Sequence, residues 1–586
     1  MALIIGIDTI GTENLRKPRQ FFNIHIKASL LAFLRNIENK KSFWFWISLD
    51  NHKKPNKNNR DTILFVLTII IASITFLSRY YFIIYDNYSL SDDWIYDLSK
   101  VITFDSQHWF ANGLGVEGEF ALISFYAKIT DVSPEVALQV IAILESTLLA
   151  LVLFWTIHKL TPSKYLAPLI ASLSFSLVYV LTPLNVYFLL KANPIFFALT
   201  FALPLFVYYL KPDLLKAGKL SYFFSFIMGF CAIGLIDFFT FCILIPPFLV
   251  IGFTLTKLKY KKSNLVVLLS FAVSTVLLFA VYRIFCYYER GIFLEFFQTN
   301  LLSVSSYTYV PQLIFPYNQI IKYAQYSTFM GLFLILLLVI FKKENWRAAV
   351  IFFIYFNFLI GLTYIDSEWL DIDFLKSSLS VFLPVILGLN AAIVIRILNF
   401  AFKKYERFSP ISITVLMLAI VYASVYFQRN NINALTEADK TPRQILDAYD
   451  KIDQTFFPYT YCVVNDPATQ IISTNKHFFM NYDFFIDRYQ IIDSINNKNK
   501  KDPKFLIKNP QYSLSKSVLI FVLNDKGKDE NNIFSLNKQL KAPLITELAS
   551  LRKKGRKIAL FYESKILNVY EVINDPKESK ISDLIF

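Results

Sequence analysis

Ile69-Ile70-Ile71-Ala72-Ser73-Ile74-Thr75-Phe76-Leu77 lies inside an apolar run over residues 62–85, the first of eleven such runs that fill the chain to residue 427. The others are read at 136–157, 165–183, 193–210, 221–236, 238–256, 264–285, 326–341, 348–364, 377–398 and 409–427. Crossing ~30 Å of hydrocarbon takes ~20 helical residues, so runs of this kind are membrane spans, the shorter ones with less margin. The stretch 221–256 can also be read as one long kinked element.

Composition agrees. Hydrophobic residues make up 55% of the 586 and aromatic ones 17%, with mean hydropathy +0.44. Apolar residues come in continuous runs rather than at amphipathic spacing, which is the pattern of a polytopic α-helical membrane protein. The net charge of +15 brings no basic recognition module with it, so nucleic acid is not expected as a partner.

The positive charges follow the spans instead. With the N-terminus in the cytoplasm, alternate loops hold Lys159 and Lys164; Lys211, Lys216 and Lys219; Lys257, Lys259, Lys261 and Lys262; Lys342, Lys343 and Arg347; Lys403, Lys404 and Arg407. The opposite loops hold few, among them Lys191, Arg290, Lys322 and Lys376. The positive-inside rule therefore sets the expected orientation. Residues 1–61 form a basic cytoplasmic or interfacial segment, 62–427 the transmembrane domain, and 428–586 an extracytoplasmic domain. The expected location is a bacterial inner membrane.

The tail reads as a small α/β domain. Strand-like runs occur at 461–464, 518–523 and 566–573, and Leu544, Leu548 and Leu551 predict a helix over 543–554. No internal repeat is evident, which weighs against a transporter built from repeated halves.

Chemistry-bearing residues concentrate on the expected outer side. Asp92-Asp93-Trp94 follows the first span closely, so the two carboxylates stand at the membrane surface, where they can take a proton from a hydroxyl or hold a cation. Helix capping is the alternative, since Ser89 precedes Asp92 by three residues and acids suit a helix's first turn. Asp105, His108, Glu117 and Glu119 share the long segment 86–135, and Asp366, Glu368, Asp371 and Asp373 form a second acidic run beyond a later span. Gly113, Gly115 and Gly118 spell G-x-G-x-x-G, but no strand leads into them, so a dinucleotide fingerprint is excluded. Glu145 lies ~13 Å along its helix from Val136 at ~1.5 Å per residue. Asp237 stands between two short spans, and an ionisable residue at membrane depth needs a partner or a cavity. Lys376 precedes a span, where it can meet a lipid phosphate or simply snorkel.

Four cysteines, Cys231, Cys242, Cys286 and Cys462, are scattered without a C-x-x-C pair. Cys286 and Cys462 fall on the same expected side and could pair. Histidines are too dispersed for a His-based metal cluster. No organic cofactor is expected, although the acids could hold a divalent cation.

Ser91-Asp92-Asp93-Trp94-Ile95-Tyr96, then Gly118-Glu119-Phe120-Ala121-Leu122 with Tyr126, then Ser133-Pro134-Glu135-Val136-Ala137-Leu138 and His158-Lys159-Leu160-Thr161, together resemble the GT-C superfamily of integral-membrane glycosyltransferases. The resemblance is specific over 91–138 and general over the remaining spans. It implies a polyprenyl-phosphate-sugar donor and a glycan, lipid or protein acceptor, with Asp93 or Asp92 as catalytic base. His108, Glu145, Asp237 and Lys376 would be substrate contacts. Many family members carry an arginine near the position of Glu145, so a donor contact there is a departure. Two other classes remain open at this stage. One is a transporter or flippase for a lipid-linked or envelope substrate; the other is a non-catalytic scaffold of an envelope complex.

Overall fold

The first apolar run folds as α1 (Lys57–Ile84) in the computed structural model of the chain. The structure describes residues 57–401 apart from 85–91, 106–109, 111–113, 117, 164, 178–191, 216–217, 303–316, 343–345 and 366–369. It also describes isolated positions between 402 and 442, and residues 443–580 apart from 465–477, 524–540, 565–566 and 575–579. The chain divides into two compact units. One is Met1–Phe82 with Thr103–Ala434, and the other is Ile83–Ile102 with Leu435–Phe586.

The first unit is helical. After α1 come α2 (Asp92–Asp105), most of which groups with the second unit, then α3 (Gly118–Thr130), α4 (Pro134–Leu160), α5 (Leu166–Leu177), α6 (Pro194–Leu210) and α7 (Lys219–Ile236). A π-helical turn (Thr240–Leu244) leads into α8 (Ile245–Leu255), followed by α9 (Lys261–Tyr288), α10 (Phe293–Leu301), α11 (Tyr317–Lys342), α12 (Arg347–Leu362) and α13 (Ile372–Ala401). Over their described residues the expected spans up to 377–398 coincide with these elements, 238–256 with the π-helical turn and α8; residues 178–183 of the third span, and most of the run at 409–427, lie outside the described residues. Among the described residues, four helices are long and apolar enough to cross a membrane: Pro134–Leu160, Leu258–Tyr288, Gln319–Ile340 and Phe374–Leu398. Shorter apolar helices are Leu64–Tyr80, Leu166–Leu177, Pro194–Leu210, Leu220–Ile236, Thr240–Leu255 and Arg347–Leu362.

Local sequence sets several helix starts. Ser133 caps α4, its side chain accepting the Val136 N–H, with Pro134 in the first turn. Asn193 does the same for α6, taking the Ile195 N–H at 3.1 Å ahead of Pro194. Pro costs nothing there because the first-turn N–H groups have no intrahelical partner.

Contacts between helices give their directions. Tyr222 donates to the Tyr208 carbonyl and Gly229 meets Leu205, so α6 and α7 are antiparallel. Ser270, Ser274 and Tyr282 of α9 donate to the carbonyls of Phe223, Ile227 and Gly234, so α7 and α9 run in parallel. Small side chains let these two backbones come close. Phe206 stacks on Phe248 at 3.7 Å and Tyr209 donates to the Leu249 carbonyl at 2.7 Å, which makes α6 and α8 parallel. Residues 221–256 are thus two helices that reverse direction at Asp237, not one kinked element.

One end of the unit, the Asp237 end, collects the start of α6 and the ends of α7 and α9. The opposite end holds lysines. There Lys211, just past α6, donates through Nζ to the carbonyls of Lys159 at 2.6 Å and Leu160 at 3.3 Å, capping the last turn of α4. Lys259 pairs with Asp213 at 3.2 Å at that same end.

The second unit holds a five-stranded mixed sheet in the order β2-β1-β3-β5-β4. Its strands are β1 (Tyr461–Val464), β2 (Phe478–Met480), β3 (Ser517–Leu523), β4 (Lys557–Glu563) and β5 (Leu567–Ile573). β1 pairs in parallel with β2 and β3, while β3–β5 and β4–β5 are antiparallel. Helices α14 (Arg443–Thr455), α15 (Tyr482–Asn499), α16 (Pro503–Lys508) and α17 (Lys541–Lys553) accompany it. The strand-like runs and the helix over 543–554 are present; β2, β4, α14 and α15 were not read from sequence. Every residue of β1 is buried, as expected for a strand with neighbours on both sides. Glu571, 1% exposed in β5, is held by Ser517 at 2.8 Å and Lys580 at 3.0 Å. All four cysteines are free thiols.

Candidate functional site

Several buried polar side chains of the helical unit meet at its Asp237 end, and three local arrangements bring them there. The first is a pair of carboxyls. Glu119 stands in the first turn of α3 and Glu145 in the body of α4, 0% and 1% exposed respectively. They lie within hydrogen-bonding reach of each other. One Glu145 oxygen accepts the backbone N–H of Asn193 at 3.2 Å, at the start of α6. A carboxylate at a helix N-terminus meets N–H groups that have no intrahelical partner. The partners of Glu145 are therefore the end of a helix and a second carboxyl.

The second arrangement is the reversal at Asp237. This residue is 4% exposed, in extended conformation (φ −147, ψ 112), and its Oδ2 accepts the Thr240 N–H at 2.7 Å. The carboxylate thus caps the π-helical turn, a type of irregularity frequent at functional sites. Gly118 packs against the backbone of Leu235 and Ile236. Glu119 and Asp237 consequently each stand one residue from the same contact.

The third is a knot of connecting segments. Asn300, near the end of α10, accepts the Val116 N–H at 2.6 Å and donates to the carbonyls of Leu114 at 2.9 Å and Phe296 at 2.7 Å. The Asp371 N–H reaches the Leu301 carbonyl at 3.2 Å, and the Asp371 side chain caps the first turn of α13. Phe374 meets the ring of Phe239 at 5.4 Å, which brings the α13 turn carrying the half-buried Lys376 beside the Asp237 reversal.

Beside these groups lies an apolar cavity of about 440 Å³, with Val116, Gly118, Phe197, Leu235, Tyr282 and Phe285 in its wall. Leu122 and Leu235, both lining it, are 47% and 43% exposed, so the cavity is open toward the apolar flank of the unit. A second apolar pocket of about 580 Å³ lies between α8 and α12, with Cys242, Pro246 and Phe358 in its wall. A chain-like apolar ligand suits such spaces.

Of the residues singled out in the sequence, the structure brings Glu145, Asp237 and Lys376 to this one end. Asp92 and Asp93 open α2, and their side chains, like His108, Asp366 and Glu368, lie outside the described residues. Sequence reading missed Asn193, Asn300 and Arg79, and did not pair Glu119 with Glu145. Arg79, 1% exposed in α1, donates to the carbonyls of Ser176 at 3.2 Å and Phe175 at 3.1 Å and lies over the Phe175 ring. The Asn193-Pro194 dipeptide was a legible helix start; nothing in the sequence marks Asn300. Among the described residues no three His, Cys, Asp or Glu side chains are grouped to hold a metal ion.

No family profile matches the chain, and no curated protein does. Among solved structures, it is similar to the crystal structure of ArnT from Cupriavidus metallidurans bound to undecaprenyl phosphate. The two share 12% identity with a TM-score of 0.46, over 87% of this chain and 98% of that one. The apo structure of the same ArnT gives 12% identity and a TM-score of 0.45, over 86% and 97%. At this distance neither structure assigns a role to any residue here.

Proposed function

We propose that the chain is a membrane glycosyltransferase of the GT-C type, moving a sugar from a polyprenyl-phosphate-linked donor to an acceptor on the extracytoplasmic face. The observation that carries this reading is the apolar cavity opening beside a polar layer at one end of the helical unit, with the lysines at the other end. An isoprenoid chain needs an apolar space reached from the bilayer, and its phosphate and sugar need polar groups at the interface. The lysine distribution supports putting the polar layer on the extracytoplasmic side. The motif around Asp92 and Asp93 supports the same class.

In this mechanism Asp93, or Asp92, takes the proton from the acceptor hydroxyl as its oxygen attacks the anomeric carbon. The bond from that carbon to the lipid phosphate breaks, and the phosphate leaves with the bonding electrons. Lys376 is the proposed counter-charge for the phosphate, and Asp237 and His108 are proposed contacts to the substrate. Glu145 is enclosed and is assigned to the scaffold instead.

The test is transfer of labelled sugar from a panel of polyprenyl-phosphate sugars in proteoliposomes. Asp92→Asn combined with Asp93→Asn should cut transfer by about 10²–10⁴-fold, the usual worth of a positioned base, while the folded protein is retained. Full activity in that variant overturns the base assignment. Substrate flux without covalent change overturns the enzyme reading in favour of a transporter.

A further inference from the structure

Helices α15 and α17 each change sign along their length. α15 opens with Asp483 and Asp487 and closes with Lys498 in its last turn, ahead of Lys500, Lys501 and Lys504. α17 carries Glu547 in its body and closes at Arg552 and Lys553, ahead of Lys554, Arg556 and Lys557. Gln490 donates to Glu547 at 2.6 Å and to Ser550 at 2.9 Å, and Arg556 meets Asp493 at 3.0 Å, so the two helices are parallel and finish together. Lys500 donates to the Asn574 carbonyl at 2.9 Å, just past β5, and Ile573 pairs with Lys557, the first residue of β4. Both basic segments therefore gather at the end of the sheet where β4 starts and β5 stops.

Helix ends account for part of this charge. The C-termini of α15 and α17 present roughly half a negative charge each, about one in all. Arg556 is matched by Asp493. Lys500 and Lys554 donate to neutral oxygens, the second to Gln490 at 2.5 Å, and so keep their charge. Lys498, Lys501, Lys504, Arg552, Lys553 and Lys557 are exposed and form no ion pair among the described residues. On the acidic side, Asp502 caps α16 and Asp453 stands near the end of α14, while Asp575 and Glu578 follow β5 in sequence. Even with these four acids counted in full, the eight exposed cations outnumber them.

We propose that this end of the sheet is a docking surface for a linear polyanion, a chain of repeated phosphate or carboxylate groups on the extracytoplasmic face. The cations stand side by side on the surface of four consecutive segments: the end of α15, the start of α16, the end of α17 and the start of β4. A small anion would meet one or two of them in water, where exposed ion pairs contribute little. A chain meets many at once, and each contact after the first is intramolecular. Apolar side chains that would enter a bilayer are sparse in this row: Ile507 on α16 is exposed, but Asn497 and Gly555 stand among the cations.

The experiment uses the full-length protein in nanodiscs of neutral lipid, with long-chain polyphosphate and poly-glutamate as probes and orthophosphate and free glutamate as their monomers. The side chains of Lys498, Lys501, Arg552 and Lys553 form no hydrogen bond or ion pair among the described residues, so changing all four to Gln should leave the melting temperature unchanged. Wild type should bind at least one polymer more tightly than its monomer at equal anion concentration, and added salt should weaken that binding. The four-residue variant should bind about tenfold more weakly or worse, since each lost cation removes one charge contact. A matched variant with Lys257, Lys259, Lys261 and Lys262 changed to Gln should keep wild-type affinity. Bound polymer should also shield Lys498, Lys501 and Lys553 of the wild type from an amine-reactive label, a readout that needs no variant. Failure of the wild type to bind either polymer overturns the proposal, as do equal losses in the two variants or unchanged labelling. Binding to phosphatidylglycerol vesicles through the same four residues, with neither polymer bound, would put a bilayer there instead.

Discussion

Lys211 reaches across from the end of α6 to the last turn of α4, its Nζ 2.6 Å from the Lys159 carbonyl. Two lysines at one helix end would repel, but the ammonium of one meets the backbone of the other, where carbonyls lack intrahelical partners. Replacing Lys211 by Met keeps the stem and removes the donor. The expected loss is ~1.5–3 kcal/mol, as for a hydrogen bond from a charged group, read as a lower melting temperature in nanodiscs.

Burial, and then the charge of Lys159, hold the Lys211 ammonium below its ordinary value of 10.5. Its unfolded form therefore binds more protons in the window just below 10.5, and stability supplied through this group rises with pH there. Melts of wild type and Lys211→Met across that alkaline window should show a gap that moves in favour of the wild type as pH rises. A gap that moves the other way contradicts the assignment.

Asn300 satisfies groups from two segments with one side chain. Asn300→Ala leaves the Val116 N–H and the Leu114 carbonyl without it, both buried. An unsatisfied buried group costs ~1–3 kcal/mol. Hydrogen exchange of the Val116 amide should accelerate in this variant, ahead of any global change.

Gly118 and Gly361 make a matched comparison. A Cβ on Gly118 would meet the Leu235 carbonyl group, with its carbon at 2.9 Å and the Ile236 Cα at 3.2 Å, whereas one on Gly361 meets nothing within 4 Å. Gly118→Ala must push backbone apart and should cost ~1–3 kcal/mol. Gly361→Ala should be neutral or stabilising, by ~0.4–1 kcal/mol. Equal melts for the two would show that α3 and α7 do not approach as described.

Burial pushes the Cys462 thiol up to about 12, so almost no thiolate exists at neutral pH to react. A maleimide should leave Cys462 unmodified in the native protein and label it in denaturant. Non-reducing and reducing gels should be identical, because Cys286 and Cys462 are both free.

Apolar runs made most of the helical unit legible, because span length is imposed by the bilayer and not by neighbours. The strands read at 461–464 and 518–523 were legible as well, through their β-branched residues. What escaped were elements whose order depends on partners far away. β2 is three residues long and β4 alternates only loosely, so neither declares itself without β1 and β5 alongside. At the site, Asp237 was placed correctly at a reversal because it separates two short apolar runs. Glu145 was noticed for its cost, but its partners Glu119 and Asn193 lie 26 and 48 residues away in sequence. Proximity of that kind comes only from the packing of α3, α4 and α6.

The order of strands in the sheet also bears on when this chain can finish folding. Among the described strands β5 is the last to be synthesised, yet it lies between β3 and β4. Until residues 567–573 have left the ribosome, β3 keeps an open edge of unpaired N–H and carbonyl groups. Such an edge is a template for association with other chains. A nascent chain stalled, or a transcript truncated, just before Leu567 would have every helix of the membrane unit in hand and still expose a sticky strand.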